Sequence, residues 1–244
     1  MAEFFYRTED IKPEEVAKYF VETKRDREII NALKARNPVV LAGSRGVGKS
    51  FLLRVAESEL LAEFESQRAL PVYVSFNRSS LINTTDPQQF QHWMLARICA
   101  RIVRTLNTVG LSVGKSRALS ILRGDSADPI PDSETPIERL VHSFEESWKG
   151  EPITIDLSSL PTLDDFRDAV EDLCKDDNIT RIVVLIDEAA HILLPEQQRQ
   201  FFTLFRDLRS PYLGCKAAVY PGVTSYGDTF QPLHDATVLS FDRD

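Results

Sequence analysis

The sequence predicts an α/β fold, with a five-stranded, mostly parallel sheet between helical layers and a helical segment inserted into it. Three observations predict it. Short apolar runs alternate along the chain with longer stretches of helical period. One such run, Pro38-Val39-Val40-Leu41, leads straight into a glycine-rich loop, and another, Ile182-Val183-Val184-Leu185-Ile186, ends on the paired carboxylates Asp187 and Glu188. The 244 residues, 43% of them hydrophobic, suffice for one domain over residues 1–244, with a helical N-terminal segment over 1–37.

The first strand, Val39–Ala42, delivers the loop Gly43-Ser44-Arg45-Gly46-Val47-Gly48-Lys49-Ser50. Its glycines permit the open and left-handed conformations that aim successive N–H groups at phosphate oxygens. Lys49 then reaches the β and γ phosphates, and the Ser50 hydroxyl can ligate Mg²⁺ at the start of a helix whose positive end faces the anion. These residues, with Phe51, form the expected nucleotide-contact set. The helix follows in Leu52, Leu53, Val55, Ala56, Leu60 and Phe64 at helical spacing, with Glu57, Glu59, Glu63 and Glu65 among them. A mere glycine-rich turn before a lysine would not explain strand, loop and helix arriving in that order.

A second strand is expected over Val72–Phe76, then a helix from Pro87 to about Leu106 with Trp93, Ile98, Ile102 and Val103 facing the core. Arg97, Arg101 and Arg104 share one face of it. The plainer reading is a solvated face; contact with nucleic acid or an acidic partner is the minor one. Residues 107–160 are taken as the insertion. Within it, Gly124 to Pro136 is a polar loop carrying Asp125, Asp128 and Asp132, and Thr135-Pro136-Ile137-Glu138 is a capping box with proline at the first helical position. Ile137, Leu140, Val141, Phe144 and Trp148 continue it as an amphipathic helix, while Ile153-Thr154-Ile155-Asp156-Leu157 alternates like an added edge strand.

The third strand, Ile182–Asp187, is apolar without alternation and so is buried on both faces. Ligands of open α/β sheets sit beyond the carboxyl ends of the strands, which is where Asp187 and Glu188 fall. Asp187 suits Mg²⁺, held through water, and Glu188 can orient and deprotonate an attacking water. The alternative is that the two acids cap the next helix. Asp187-Glu188-Ala189-Ala190-His191 carries one alanine too many for a DEAH box, and His191 is read as structural. Pro195 opens a helix with the apolar stripe Phe201, Phe202, Phe205 and Leu208. A strand over Ala217–Val223, distorted or ended by Pro221, puts Thr224 and Ser225 beside the place of a γ phosphate. Ala236–Phe241 is the last strand.

The net charge of −8 is unevenly spread: residues 1–124 hold 19 Lys+Arg against 13 Asp+Glu, and residues 125–244 hold 10 against 24. The whole chain is therefore no basic nucleic-acid binder, although its first half can present a basic surface. Cys99, Cys174 and Cys215 lie far apart with no CxxC pair, which suggests neither zinc nor a disulfide framework but buried thiols in a reducing compartment. No apolar stretch approaches a membrane span and no secretory signal opens the chain, so a cytoplasmic protein without membrane contact is expected.

The order of these features resembles the AAA+ and STAND ATPases, and within them the bacterial and archaeal group similar to origin-recognition initiators. Gly43–Ser50, Leu185-Ile186-Asp187-Glu188 and Gly222-Val223-Thr224-Ser225 carry the resemblance, which covers about residues 11–78 and 162–241. It implies the three-layer sandwich of P-loop NTPases, with ATP and Mg²⁺ at the loop. It implies further that Lys49 binds phosphate, Ser50 and Asp187 position Mg²⁺, Glu188 activates water, and Thr224 or Ser225 takes the place of the first sensor. Phe20 to Glu28 looks like the box that such families place before the first strand to frame the adenine. Two departures stand out. Tyr226 to Asp235 contains no arginine for a trans-acting finger, leaving Arg206 and Arg209 as substitutes, and the chain ends at Asp244 without a helical lid. A fragment of a longer protein is expected.

The function expected is an ATP-hydrolysing switch or remodelling domain that drives assembly or conformational change of a homo-oligomer or larger complex. The alternative is a nucleotide-sensing scaffold of STAND type that does not turn over, in a DNA-associated or defence setting. A small-molecule kinase is the third class, for which no acceptor site or lid arginines are found.

Overall fold

In this computed structural model, described here over residues 13–76, 87–111, 116–124, 134–148, 154–189 and 194–241, the five expected apolar runs become five strands. They are β1 (Val39–Ala42), β2 (Ala69–Ser75), β3 (Arg181–Asp187), β4 (Leu213–Val219) and β5 (Thr237–Ser240). Their order is β2-β3-β4-β1-β5, and every pairing is parallel. Parallel neighbours need long crossovers, and helices supply them. These are α1 (Lys24–Lys34), α2 (Lys49–Ala62), the short α3 (Phe64–Gln67), α4 (Pro87–Thr108), α5 (Arg117–Arg123), α6 (Pro136–Ser147), α7 (Leu163–Asp176) and α8 (Pro195–Asp207).

Two cores flank the sheet. Ile29, Ile30 and Leu33 of α1, with Leu52, Leu53, Ala56 and Leu60 of α2, pack on one face, where β3 contributes Val183 and Leu185. Side chains of α4 to α8 pack on the other, where β3 contributes Ile182, Val184 and Ile186. Burial on both faces is why that run shows no alternation. The phenylalanines of α8 and the Thr135 capping box with Pro136 stand as expected. Ala118, Leu119 and Leu122 of α5 and Ile137, Leu140, Val141 and Phe144 of α6 join the second core.

The boundaries differ in places for physical reasons. Strand β2 begins three residues early and contains Pro71, which is tolerated because β2 is an edge strand bonded to β3 alone. Strand β4 runs over Leu213–Val219 instead of Ala217–Val223: the chain leaves the sheet at Tyr220, before Pro221 and a left-handed Gly222 at φ 78°. Residues 154–157 form no strand; the Asp156 carboxylate accepts the Ser158 N–H at 2.9 Å, an Asx turn that ends the extended run. Residues 125–133, with Asp125, Asp128 and Asp132, and Ile153 and His191 lie outside the described residues.

The arginine stripe of α4 is neither a solvated face nor a basic surface. Phe76 donates its N–H to the Asp187 carbonyl of β3, so the alternate residues Tyr73 and Ser75 direct their backbone polar groups outward. Arg101 Nε donates to the Tyr73 carbonyl at 2.8 Å, and Arg97 Nη2 to the Ser75 carbonyl at 2.9 Å. Arg97 also pairs with Glu145 of α6 at 2.6 Å. Arg104 alone stays at the surface, its side chain 66% exposed and 3.5 Å from Glu138.

Cys99, Cys174 and Cys215 are buried and free, and burial pushes the last two thiols up to about 12. Among the described residues no helix is long and apolar enough to cross a membrane.

Lys216 is a buried cation in the middle of β4, fully enclosed and donating to the Asn37 carbonyl. Burial holds its pKa down to about 8, against an ordinary 10.5. Between these values the unfolded chain binds a proton that the folded chain resists, so stability present above about 10.5 is lost as pH falls through about 8. In urea titrations the stability of wild type relative to Lys216→Met is therefore expected to rise by up to about 3 kcal/mol across that window. A flat difference would show that Lys216 is not the titrating group.

Candidate functional site

The register gathers the carboxyl ends of the strands. Ala42 of β1 pairs with Val219 of β4 and Ser240 of β5, and Ser75 of β2 pairs with Asp187 of β3. Because β4 lies between β1 and β3, whatever follows β4 stands between the glycine-rich loop and the paired acids.

The loop leaves β1 with the Gly43 N–H on the Val219 carbonyl at 3.3 Å. A Cβ on Gly43 would meet Phe241 at 2.6 Å, so close packing demands glycine there. At Gly46 and Gly48 the demand is conformational: φ is 82° and 99°, with nothing within 4 Å of the place of a Cβ. Open space over a left-handed loop is what an approaching phosphate requires. Helix α2 begins at Lys49 with no side-chain cap and no acidic residue in its first turn, so its positive end faces the loop without a competing carboxylate of its own.

Lys49 is only 5% exposed. Its ammonium donates to the carbonyls of Gly43 at 2.6 Å and Ser44 at 2.8 Å and lies 3.9 Å from the centre of the Tyr220 ring. Ser50 donates its hydroxyl to Asp187 Oδ1 at 3.0 Å. Asp187, 3% exposed, also accepts the Tyr73 hydroxyl on Oδ2 at 2.7 Å and the Glu188 N–H on Oδ1 at 2.9 Å. Burial, then the charge of Asp187, raises the Tyr73 phenol well above its ordinary range, which keeps it a donor. The Arg54 guanidinium covers the Tyr73 ring at 3.4 Å and pairs with Glu57 at 2.8 Å.

Glu188 has φ 57°, a left-handed conformation that costs a non-glycine residue about 1–2 kcal/mol. Its carboxylate accepts the hydroxyl of Tyr220, whose pKa is pushed up to about 12 by burial and then by the charges of Glu188 and Asp187. Helix α8 starts at Pro195 behind Leu194, so neither acid caps it and that alternative falls.

Thr224 donates to the Tyr220 carbonyl at 2.7 Å and receives the Tyr220 N–H at 3.3 Å. Its hydroxyl closes a turn, and Tyr220 is the side chain that meets Lys49 and Glu188. The Ser225 N–H donates to Gln198 of α8 at 2.6 Å. Phe51 packs on Phe20 with ring centres 5.7 Å apart. Thr23 caps α1 in a capping box with Asp26, Arg27 bonds Glu59 of α2 at 2.8 Å, and Arg25 reaches the Ser240 carbonyl, so the Phe20–Glu28 segment runs along α2, from Phe51 near its start to Glu59 near its end, and meets the end of β5. Ser44 and Arg45 are exposed on the loop, and Val47 packs 3.0 Å from the place of a Gly43 Cβ. Arg206 is tied to Asp207 and the Thr229 carbonyl, both at 2.8 Å, while Arg209 is exposed.

Sequence reasoning missed Tyr73 and Tyr220. The available signal was position: both are phenols in otherwise apolar strand segments, within two residues of a strand end.

The family whose model matches residues 4–233 is described as ORC-CDC6-like. No curated protein and no solved structure matches the chain.

Tyr73→Phe removes one donor from a buried carboxylate while keeping the ring beneath Arg54. A loss of about 1–3 kcal/mol in unfolding free energy is expected by chemical denaturation. Unchanged stability would show that water or another donor replaces the phenol.

Proposed function

This chain belongs to the ORC-CDC6-like family, an origin-recognition-like relationship to AAA+ ATPases, and on that premise we propose that it is an Mg²⁺-dependent ATP-hydrolysing switch that drives assembly or conformational change of a larger complex. The observation that carries the reading is the bond across the sheet from Ser50, in the first turn of α2, to Asp187 at the end of β3. That contact brings side by side the hydroxyl and the carboxylate that would ligate Mg²⁺, next to a loop whose glycines leave open space.

ATP is the substrate that fits. The N–H groups of the loop beyond Gly43 and of the first turn of α2 can donate to its phosphate oxygens, and Lys49 can exchange the Gly43 and Ser44 carbonyls for them. Ser50 and Asp187 would hold Mg²⁺. When bound, Mg²⁺ supplies neutralising charge on the phosphate oxygens and keeps part of its water shell. Glu188 orients the attacking water and takes its proton. Phe20 and Phe51 offer an aromatic surface for the adenine beside the loop. Catalysis here is positioning and electrostatic stabilisation, and further positive charge would come from a neighbouring subunit or partner. Thr224 would act on this site through Tyr220, whose backbone it holds. With Arg97 and Arg101 turned onto β2, the α4 stripe lends no support to a DNA contact.

A non-turnover nucleotide sensor is the second reading, favoured by the engagement of Lys49 with its own loop and of Glu188 with Tyr220. Phosphate release separates the two. Glu188→Gln is expected to bind ATP as wild type does and to slow release about 10²–10⁴-fold, whereas Lys49→Ala is expected to lose ATP binding. Equal release by wild type and Glu188→Gln would leave the sensor as the function.

A further inference from the structure

Lys49 and Glu188 belong to opposite sides of the site, one reached from β1 and the other from β3, and a single side chain from the strand between them touches both. Tyr220 is the first residue beyond β4. Its ring lies against the Lys49 ammonium at 3.9 Å, and its hydroxyl bonds to the Glu188 carboxylate. In a hydrolytic site those two groups meet the terminal phosphate and the water that attacks it. Tyr220 thus contacts the partners that the terminal phosphate and water need.

The backbone beneath the ring is clamped. Thr224 bonds both the N–H and the carbonyl of Tyr220, and the Ser225 N–H is fixed to Gln198 on α8. At the next residue, Tyr226 packs on Phe202 and Phe230 at 4.6 and 5.7 Å between ring centres. With the turn anchored at both ends, rotation of the Tyr220 side chain is the motion that remains. Glu188 is restrained in turn: its own N–H is spent on Asp187, and its φ of 57° persists only while its surroundings enforce it.

We propose that Tyr220 is a positioning residue that holds Lys49 and Glu188 in a resting arrangement, and that the terminal phosphate of ATP must displace it from both before water can be activated. The proposal rests on the hydrolytic reading above for its effect on rate, and on the loop alone for its effect on binding. ADP, which lacks the γ phosphate, reaches Lys49 through its β phosphate alone and leaves the bond from Tyr220 to Glu188 in place. The aromatic contact with Lys49 opposes binding of ATP, and the phenol bond withholds Glu188 from water.

The test uses the full chain with two variants, ATP and ADP dissociation constants from displacement of a fluorescent nucleotide, and single-turnover phosphate release. Tyr220→Phe keeps the ring over Lys49 and frees Glu188: kcat is expected to rise about tenfold with the ATP dissociation constant nearly unchanged. That gain is expected to disappear when Glu188→Gln is added, which a merely structural role would not produce. Tyr220→Ala is expected to tighten ATP about three- to tenfold and ADP by clearly less, since only ATP must also part Tyr220 from Glu188. An equal or lower kcat in Tyr220→Phe, with wild type turning over faster than Glu188→Gln, overturns the proposal. If wild type turns over no faster than Glu188→Gln, the hydrolytic reading has failed instead. The ATP-to-ADP contrast in Tyr220→Ala then decides the role of Tyr220, which stands if ATP tightens more than ADP and falls if neither tightens or both tighten equally.

Discussion

The carboxylate of Asp187 is the group on which the rest of the site depends. A buried anion is costly unless donors surround it, and this one is 3% exposed. Its three donors come from three places: Ser50 from α2, Tyr73 from β2, and the backbone of Glu188 from the end of its own strand. Meeting that electrostatic demand locks the start of α2 to β3, fixes the register of β2 against β3, and bends the chain so that Glu188 takes a left-handed conformation. Removing the charge would leave three converging donors with nothing to share.

The strand order then sets what the site contains. Placing β4 between β1 and β3 separates the glycine-rich loop from the paired acids by one strand width, and the residue after β4 inherits the gap. In this chain it is Tyr220, a half-buried phenol, and the hydroxyl of Thr224 works one turn away as a brace for it. The polarity expected at this position is therefore present, carried by a larger side chain whose ring and hydroxyl reach different partners.

How much of this was legible in the sequence follows from which forces are local. The loop, the start of α2, the β3 run and the Thr135 cap are specified by neighbouring residues, and they stand where periodicity and capping put them. The expected end of β4 slipped because a strand ends where its ladder partners end, and the apolar run alone carries no such information. The α4 stripe was misread for a related reason. Spacing shows that Arg97, Arg101 and Arg104 share a face, but what the face meets depends on the outward carbonyls of a strand some 25 residues away in sequence. Ile153–Leu157 alternates as a strand would, yet residues 154–157 pair with none, because an Asx turn at Asp156 satisfies the backbone locally.

The sealed outer side of β2 bears on how copies of this chain can meet. An edge strand with idle backbone groups is a template for another strand. Here a second chain would have to break two charge-assisted bonds, each worth about 1.5–3 kcal/mol, and strand its incoming backbone against Pro71, which has no N–H to offer. Growth of the sheet by addition at β2 is thus opposed, and any strand addition would fall to β5, the sheet's other edge.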